Sequence, residues 1–218
     1  MTTGTYNTTR EAGRDAPKVR EYSDFAWTAA NQEEVVRVLA RYPESRRHSA
    51  IMPLLWLAQE QMATATGSAW LPVPVIEYVA TQVGMPYMRA YEVVTFYTMY
   101  NLKPVGRFHV QVCGTTPCML RGSDDILRAC KDKGLVKGGN TADGLFTLSE
   151  VECLGACANA PMVQINADNY EDLTYDSMTE ILDGLSRGVM PKPGSQIGRT
   201  ASCPEGGPTT LLETAGAR

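Results

Sequence analysis

Four cysteines in two closely spaced pairs constrain the fold of this chain more than any other feature. One pair encloses the segment Cys113-Gly-Thr-Thr-Pro-Cys118, and the other encloses Cys153-Leu-Gly-Ala-Cys157. Thiolates are soft donors, and a set of four suits either zinc or an iron-sulfur cluster. If the four act together, the fold has to bring two loops that are distant in sequence to one place.

The spacing of the pairs leaves more than one kind of site open. Gaps of three and four residues fall within the range of structural zinc sites. Small residues such as Gly114, Thr115 and Gly155 let backbone N–H groups approach sulfur, which favours an iron-sulfur cluster, although zinc loops benefit in the same way. Thiol-disulfide chemistry is a third reading because the order of elements resembles a thioredoxin fold, but the chain has no Cys-x-x-Cys motif.

The remaining cysteines and the two histidines offer no further chemistry. Cys130 falls in a predicted helix and Cys203 near the C-terminal end, so we expect a buried small hydrophobe and an incidental thiol rather than ligands. Neither His48 nor His109 stands beside a plausible nucleophile. No glycine-rich phosphate loop follows a strand. We therefore expect no catalytic residue and no nucleotide site in this chain.

Charge and hydropathy exclude two classes of partner. With 20 Lys and Arg against 24 Asp and Glu, the chain has no positive field for a nucleic acid backbone. No segment approaches the ~20 continuous apolar residues of a membrane-spanning helix, and residues 1–20 lack the apolar core of a secretory signal. We expect a soluble intracellular chain without membrane insertion. Because such a compartment is reducing, we do not expect the cysteines to form structural disulfides.

The first half of the sequence has the periodicity of a helical bundle. Apolar residues at helical spacing predict one helix from near Asn31 to Pro43, and others over residues 49–65, 75–83 and 87–100. The last two could form a helix-turn-helix, but residues 87–100 lack the basic edge that DNA phosphates require. We expect the aromatic residues of this helix to lie in the core or at a subunit interface: Tyr91, Phe96, Tyr97 and Tyr100.

The second half alternates between strand and helix. The pattern predicts a strand over residues 108–112, a helix over 123–133 with Ser123 as N-cap, strands over 145–151 and 162–166, and a helix over 177–185. This order indicates an α/β sandwich with the cysteines in loops at strand ends. We predict an α+β chain with a disordered arm (1–23), a helical bundle (24–103), an α/β domain (104–190) and an irregular tail that could lie on a partner (191–218).

Longer motifs around the cysteines resemble a known family, the thioredoxin-like ferredoxin subunit of NADH:quinone oxidoreductase, respiratory complex I. The most specific parts are Val112-Cys-Gly-Thr-Thr-Pro-Cys118 and Glu152-Cys-Leu-Gly-Ala-Cys-Ala-Asn-Ala-Pro-Met162. The helical stretch from Tyr91 to Tyr100 and the tail around Pro204 are also similar to the family. The resemblance covers most of the chain, so it implies a helical bundle followed by a thioredoxin-like ferredoxin domain.

The resemblance also implies a cofactor and a partner. It implies one 2Fe-2S cluster held by Cys113, Cys118, Cys153 and Cys157, beside a flavoprotein subunit that binds FMN and NADH, among other peripheral-arm subunits. In the family the cluster lies off the main electron path and is associated with transient electron storage. We expect a cytoplasmic location, peripheral on the inner face of the plasma membrane, or the mitochondrial matrix if the source is eukaryotic.

Two alternatives and two structural expectations accompany this reading. The alternatives are a related small subunit of an NAD-linked hydrogenase or formate dehydrogenase, and a structural four-cysteine zinc module without redox function. We expect a cis bond between Ala160 and Pro161, where thioredoxin folds often carry one. We also expect residues 87–100 to contact the flavoprotein, because their aromatic surface exceeds what a small bundle can bury.

Overall fold

The structure is a computed structural model that describes residues 22–207 and 209–210. The predicted disordered arm therefore lies outside the described residues except for its last two. The chain divides into two compact units between Val105 and Gly106. None of the helices in the described part is long and apolar enough to cross a membrane.

The first unit consists of helices. Its elements are α1 (Ala29–Leu39), a 3-10 turn (Glu44–Ala50), α2 (Ile51–Thr66), α3 (Val73–Gln82) and α4 (Tyr87–Phe96). The longest of them, α2, buries Leu54, Leu55 and Ala58 completely in the core of this unit. The Thr28 hydroxyl caps α1 by accepting a hydrogen bond from the Asn31 N–H. These helices confirm the predicted bundle.

The last helix of this unit is shorter than predicted. It ends at Phe96, and Tyr97 adopts an extended backbone. The following segment is held against α2 instead, because the Gln59 amide donates to Met99 O (3.1 Å) and accepts from the Asn101 N–H (2.8 Å). These long-range hydrogen bonds replace the backbone bonds that another helical turn would have made, and the periodicity of the sequence did not reveal them.

The second unit is built on one mixed sheet. Its strands are β1 (Phe108–Cys113), β2 (Phe146–Val151), β3 (Val163–Ile165), β4 (Asp168–Glu171) and β5 (Gly194–Ser195), and its helices are α5 (Thr116–Leu120), α6 (Ser123–Asp132) and α7 (Tyr175–Ser186). The strand order is β2-β1-β3-β4-β5. β1 pairs with β2 in parallel, β3 is antiparallel to both β1 and β4, and β5 is parallel to β4.

The core of this unit lies between the sheet and the two long helices. Val110 and Val112 on β1 are completely buried, as are Ile126 on α6 and Met178 on α7. Apolar residues recur on one side of each helix and within the central strands, so burial of these side chains drives the assembly. The predicted fold class, α+β with a thioredoxin-like second domain, is confirmed.

Several local details differ from the sequence prediction. The N-cap of α6 is Gly122, in the left-handed region with φ 101°, whereas the predicted cap Ser123 is a buried residue of the first turn. A glycine tolerates this conformation, which reverses the chain directly after α5. Neither α5 nor β4 was predicted, because both are too short to show a period. The predicted irregular tail contains β5.

Candidate metal centre

The sheet topology explains why the two cysteine pairs meet. Cys113 is the last residue of β1, and Cys153 follows the end of β2 by two residues. Because β1 and β2 are parallel neighbours, their carboxyl ends lie side by side, and the two loops that carry the cysteines begin at the same end of the sheet. The Gly114 N–H donates to Val151 O (3.2 Å) and continues the pairing up to the point where the loops begin.

The first pair is buried. Cys113 and Cys118 are 2% and 1% exposed and pack with Ala160 and Met162 in a small apolar cluster. Cys118 reaches this position because α5 turns the chain back directly after β1. Cys113 Sγ lies 3.3 Å from Thr115 Oγ1, and the Thr115 and Leu154 N–H groups also donate to it. The loop of the second pair thus already contacts a sulfur of the first.

The second pair is exposed and closely spaced. Cys153 Sγ and Cys157 Sγ are 3.7 Å apart, and Cys157 begins a 3-10 turn over Cys157–Asn159. Electrostatic repulsion links the two pairs, because Cys157 helps to raise the pKa of Cys118 and Cys113 helps to raise the pKa of Cys157. The four cysteines singled out from the sequence are therefore brought to one site, with one pair beneath the surface and the other at the surface.

The surroundings separate the acidities of the thiols. Burial alone would raise the pKa of Cys113, but hydrogen bonds from Thr115 and from the Leu154 backbone outweigh it and lower the pKa. Burial, together with the Cys113 sulfur, raises the pKa of Cys118 to about 11. The neighbouring Cys153 thiol raises the pKa of Cys157. Four adjacent thiols cannot all lose their protons without a positive charge nearby, which a metal provides.

The donor set consists of four thiols in two pairs. A 2Fe-2S cluster takes two protein thiolates on each of its two irons. N–H groups aimed at sulfur are the outer-shell contacts that such clusters use. The residues present therefore fit a 2Fe-2S cluster.

An ion pair beside the first loop was not identified from the sequence. The Glu150 carboxylate pairs with the Lys137 ammonium and packs over Gly114, where a Cβ atom would come within 2.6 Å of Glu150 Oε1. Only glycine fits here without displacing the carboxylate. The alternation of β2 gives no signal for this contact, because Glu150 stands at the same parity as the core residues Phe146 and Leu148, and nothing in the sequence pairs it with Lys137.

The other singled-out residues lie where their chemistry suggests. Cys130 is completely buried in α6, as predicted, and Cys203 is exposed. His109 is buried with Nε2 2.9 Å from Ser149 Oγ, and His48 belongs to the exposed 3-10 turn. The bond between Ala160 and Pro161 is cis, which confirms that prediction.

A comparison with protein families agrees with this geometry. The model of the family described as thioredoxin-like [2Fe-2S] ferredoxin matches residues 35–186. Among curated proteins, an NADH-quinone oxidoreductase subunit of Rickettsia conorii is 56% identical over 164 residues, covering 75% of this chain and 95% of the relative. Its counterpart of the same name in Rickettsia felis is 53% identical over 165 residues, covering 75% of this chain and 96% of the relative.

Solved structures share the fold at low sequence identity. An NAD+-reducing [NiFe]-hydrogenase matches with a TM-score of 0.50 in its air-oxidised state and 0.51 in its H2-reduced state, at 18% and 15% identity. Each match covers 62% of this chain but only 23% of the hydrogenase chain, so it speaks for the fold alone. The family model and the Rickettsia relatives carry the assignment: this chain belongs to the thioredoxin-like [2Fe-2S] ferredoxin family.

Proposed function

We propose that this chain is an electron-transfer subunit that carries one 2Fe-2S cluster on Cys113, Cys118, Cys153 and Cys157. The observation that carries the proposal is that the two cysteine pairs meet at the carboxyl ends of β1 and β2. The cluster, when bound, supplies one-electron redox chemistry. The protein supplies the four thiolates, the N–H groups directed at sulfur and an apolar floor.

The burial of the ligands suggests how the site is used. Cys113 and Cys118 anchor it in the protein, where Met162 and Ala160 exclude water from their sulfurs. Cys153 and Cys157 are exposed and form the face that a redox partner can approach. Strands and a short helix hold the first pair, and a rigid site of this kind changes little in geometry when its charge changes.

We place the chain in the NADH-oxidising module of an NADH:quinone oxidoreductase. Its relatives with more than half identical residues are named as subunits of that enzyme. There it would exchange electrons with FMN on a flavoprotein partner that also binds NADH, among other peripheral-arm subunits at the inner face of the membrane. The chain would have no NADH site of its own. A hydrogenase host is the alternative, but the hydrogenase likeness is confined to the fold.

A surface on the helical unit is suited to the flavoprotein. A groove of about 640 Å³ runs along α4, with Phe96, Tyr97, Met85 and Val93 among its lining residues. Phe96 is 76% exposed, and large apolar side chains that stand out in this way mark interaction sites. We propose that α4 and this groove contact the flavoprotein subunit.

The direct test is analysis of the anaerobically purified protein for iron and sulfide, followed by EPR of the dithionite-reduced sample. We expect about two irons and two sulfides per chain and an S = 1/2 signal. Zinc without iron would instead identify a structural module and refute the electron-transfer function. Isolation of the complex would then show whether an FMN-containing subunit copurifies with this chain.

A further inference from the structure

A segment near the C-terminal end lies on the loop that carries Cys157. We call residues 194–203 the strap. It begins with β5, which pairs with β4 at the edge of the sheet, where Tyr170 is opposite Gly194 and Glu171 opposite Ser195. The Gln196 N–H extends the pairing by donating to Glu171 O (3.0 Å). The strap is thus attached to the sheet before it reaches the cysteine loop.

A charged pair joins the strap to the end of β4. The Arg199 guanidinium donates through Nε to Asp172 Oδ2 (3.0 Å) and through Nη2 to Asp172 Oδ1. Ser195 Oγ donates to the same carboxylate at 2.6 Å. The side chains of Arg199 and Asp172 are only 12% and 8% exposed. Removing one partner of such a pair leaves the other charge buried and unpaired, so the pair cannot be a casual surface contact.

The same guanidinium reaches the cysteine loop. Arg199 Nη2 donates to Ala158 O (2.7 Å), which belongs to the residue after Cys157, and Nη1 donates to Cys203 O (3.0 Å). Arg199 therefore connects the sheet, the strap and the loop with one planar group. A lysine has one ammonium on a flexible stem and cannot satisfy these three directions together.

Asn159 makes a second connection between the same segments. It is 3% exposed, and its Nδ2 donates to Ala201 O of the strap at 2.8 Å. The backbone carbonyl oxygen of Asn159 accepts a hydrogen bond from the Asp172 N–H, also at 2.8 Å. Residues 158 and 159, directly after Cys157, are thus held on one side by the strap and on the other by the end of β4.

We propose that Arg199 is a positioning residue for Cys157, and that the strap fixes the loop that presents this thiolate. The exposed pair is less enclosed than Cys113 and Cys118: Leu154 and Ala156 of its loop pack against the apolar cluster, but both of its cysteines are exposed. Its geometry depends on the backbone of residues 158–159, which Arg199 and Asn159 secure. The inference rests on the proposed role of Cys157 as a cluster ligand and assigns a function to a segment that the cysteine motifs do not include.

The test compares three arginine variants of the full chain. In Arg199→Gln, we expect the cluster to be lost to an iron chelator about 10-fold to 100-fold faster, as for other outer-shell changes, with altered g-values and midpoint potential. Arg199→Lys keeps the charge but not the three directions, so it should behave like Arg199→Gln. Arg187→Gln removes an exposed arginine after α7 and should match the wild type in every readout.

A second position keeps the test decisive if Arg199→Gln does not fold. Asp172→Asn has nearly the same shape but lacks the charge that orients Arg199, and it should change the g-values in the same direction. Wild-type g-values and loss rates in both Arg199→Lys and Asp172→Asn would overturn the inference while the cluster itself remained established. A wild-type protein without iron would overturn the proposed function as well, so the two failures can be told apart.

Discussion

Cys153 Sγ lies 3.7 Å from Cys157 Sγ, a distance that matches two ligands of one metal ion. A disulfide would require about 2.05 Å. Two thiolates on one tetrahedral metal ion, each bound at about 2.3 Å, lie about 3.8 Å apart. The loop that contains Gly155 and Ala156 thus holds the two sulfurs at a separation that would suit one shared metal ion.

The first prediction concerns the ligands. Substitution of Cys113, Cys118, Cys153 or Cys157 by Ser, one at a time, should weaken or abolish the cluster, because a serine hydroxyl gives up its proton far less readily than a thiol and its oxygen is a harder donor than sulfur. Iron and sulfide content and the visible absorption of the anaerobically purified variants measure the outcome.

The other two cysteines provide matched controls for these variants. Cys130→Ala and Cys203→Ser should keep wild-type iron content, since one thiol is buried within α6 and the other is exposed on the strap. Loss of iron from Cys130→Ala in a chain that remains folded would contradict the ligand assignment.

Sequence reasoning reached the site because its elements are local. The pairs of cysteines are adjacent in sequence, and the strands that precede them, β1 and β2, carry the branched residues that indicate strands. Periodicity likewise revealed the long helices. Only the two parallel strands bring the pairs together, and that pairing follows from the order of elements rather than from any single motif.

The contacts that sequence reasoning missed join residues far apart in the chain. Arg199 and Asp172 are ordinary charged residues in sequence, and only the pairing of β5 with β4 makes them partners. The same holds for Gln59, whose side-chain amide forms hydrogen bonds with Met99 and Asn101 in the segment that follows α4. Such pairs leave no periodic signal, because each depends on one tertiary contact instead of a repeated face.

The second prediction tests a close approach in the sheet unit. A Cβ atom at Gly106 would lie 2.6 Å from the carbonyl carbon and 2.9 Å from the nitrogen of Phe146. Because backbone atoms cannot move aside as a flexible side chain can, Gly106→Ala should destabilise the protein by about 1–3 kcal/mol. Gly206→Ala, where the added atom meets nothing within 4 Å, is the control, and urea unfolding measures both.

The third prediction concerns acid stability. Burial lowers the pKa of His109 from 6.5 to about 4, so the unfolded chain binds a proton that the folded chain does not between these values. The stability from this group is complete above pH 6.5 and is lost as the pH falls toward 4. The slope of about 1.4 kcal/mol per pH unit applies only below pH 6.5. We therefore expect the free energy of unfolding to fall by about 2 kcal/mol between pH 7 and pH 5.

Urea unfolding of the wild type and of His109→Gln at both pH values isolates this contribution. The glutamine keeps a polar partner for Ser149 Oγ, 2.9 Å from His109 Nε2 in the wild type, but does not titrate. The variant should therefore lose less stability between pH 7 and pH 5 than the wild type does. Equal losses would mean that His109 is not kept neutral by the fold.

The last prediction concerns the proposed contact with the flavoprotein. Phe96 packs edge-to-face on Tyr97 with ring centroids 5.0 Å apart, yet it is 76% exposed, so the pair gains little from burial within this unit. If a partner covers the groove along α4, Phe96→Ser should weaken association by about 2 kcal/mol or more, as for a buried aromatic anchor. Val36→Ser on α1 is the control, because Val36 is also exposed, at 60%, but does not line the groove.

Copurification and titration with the flavoprotein subunit measure the association of each variant. Thermal unfolding of each variant separates weakened binding from lost folding, and unchanged affinity in a folded Phe96→Ser protein would place the contact elsewhere.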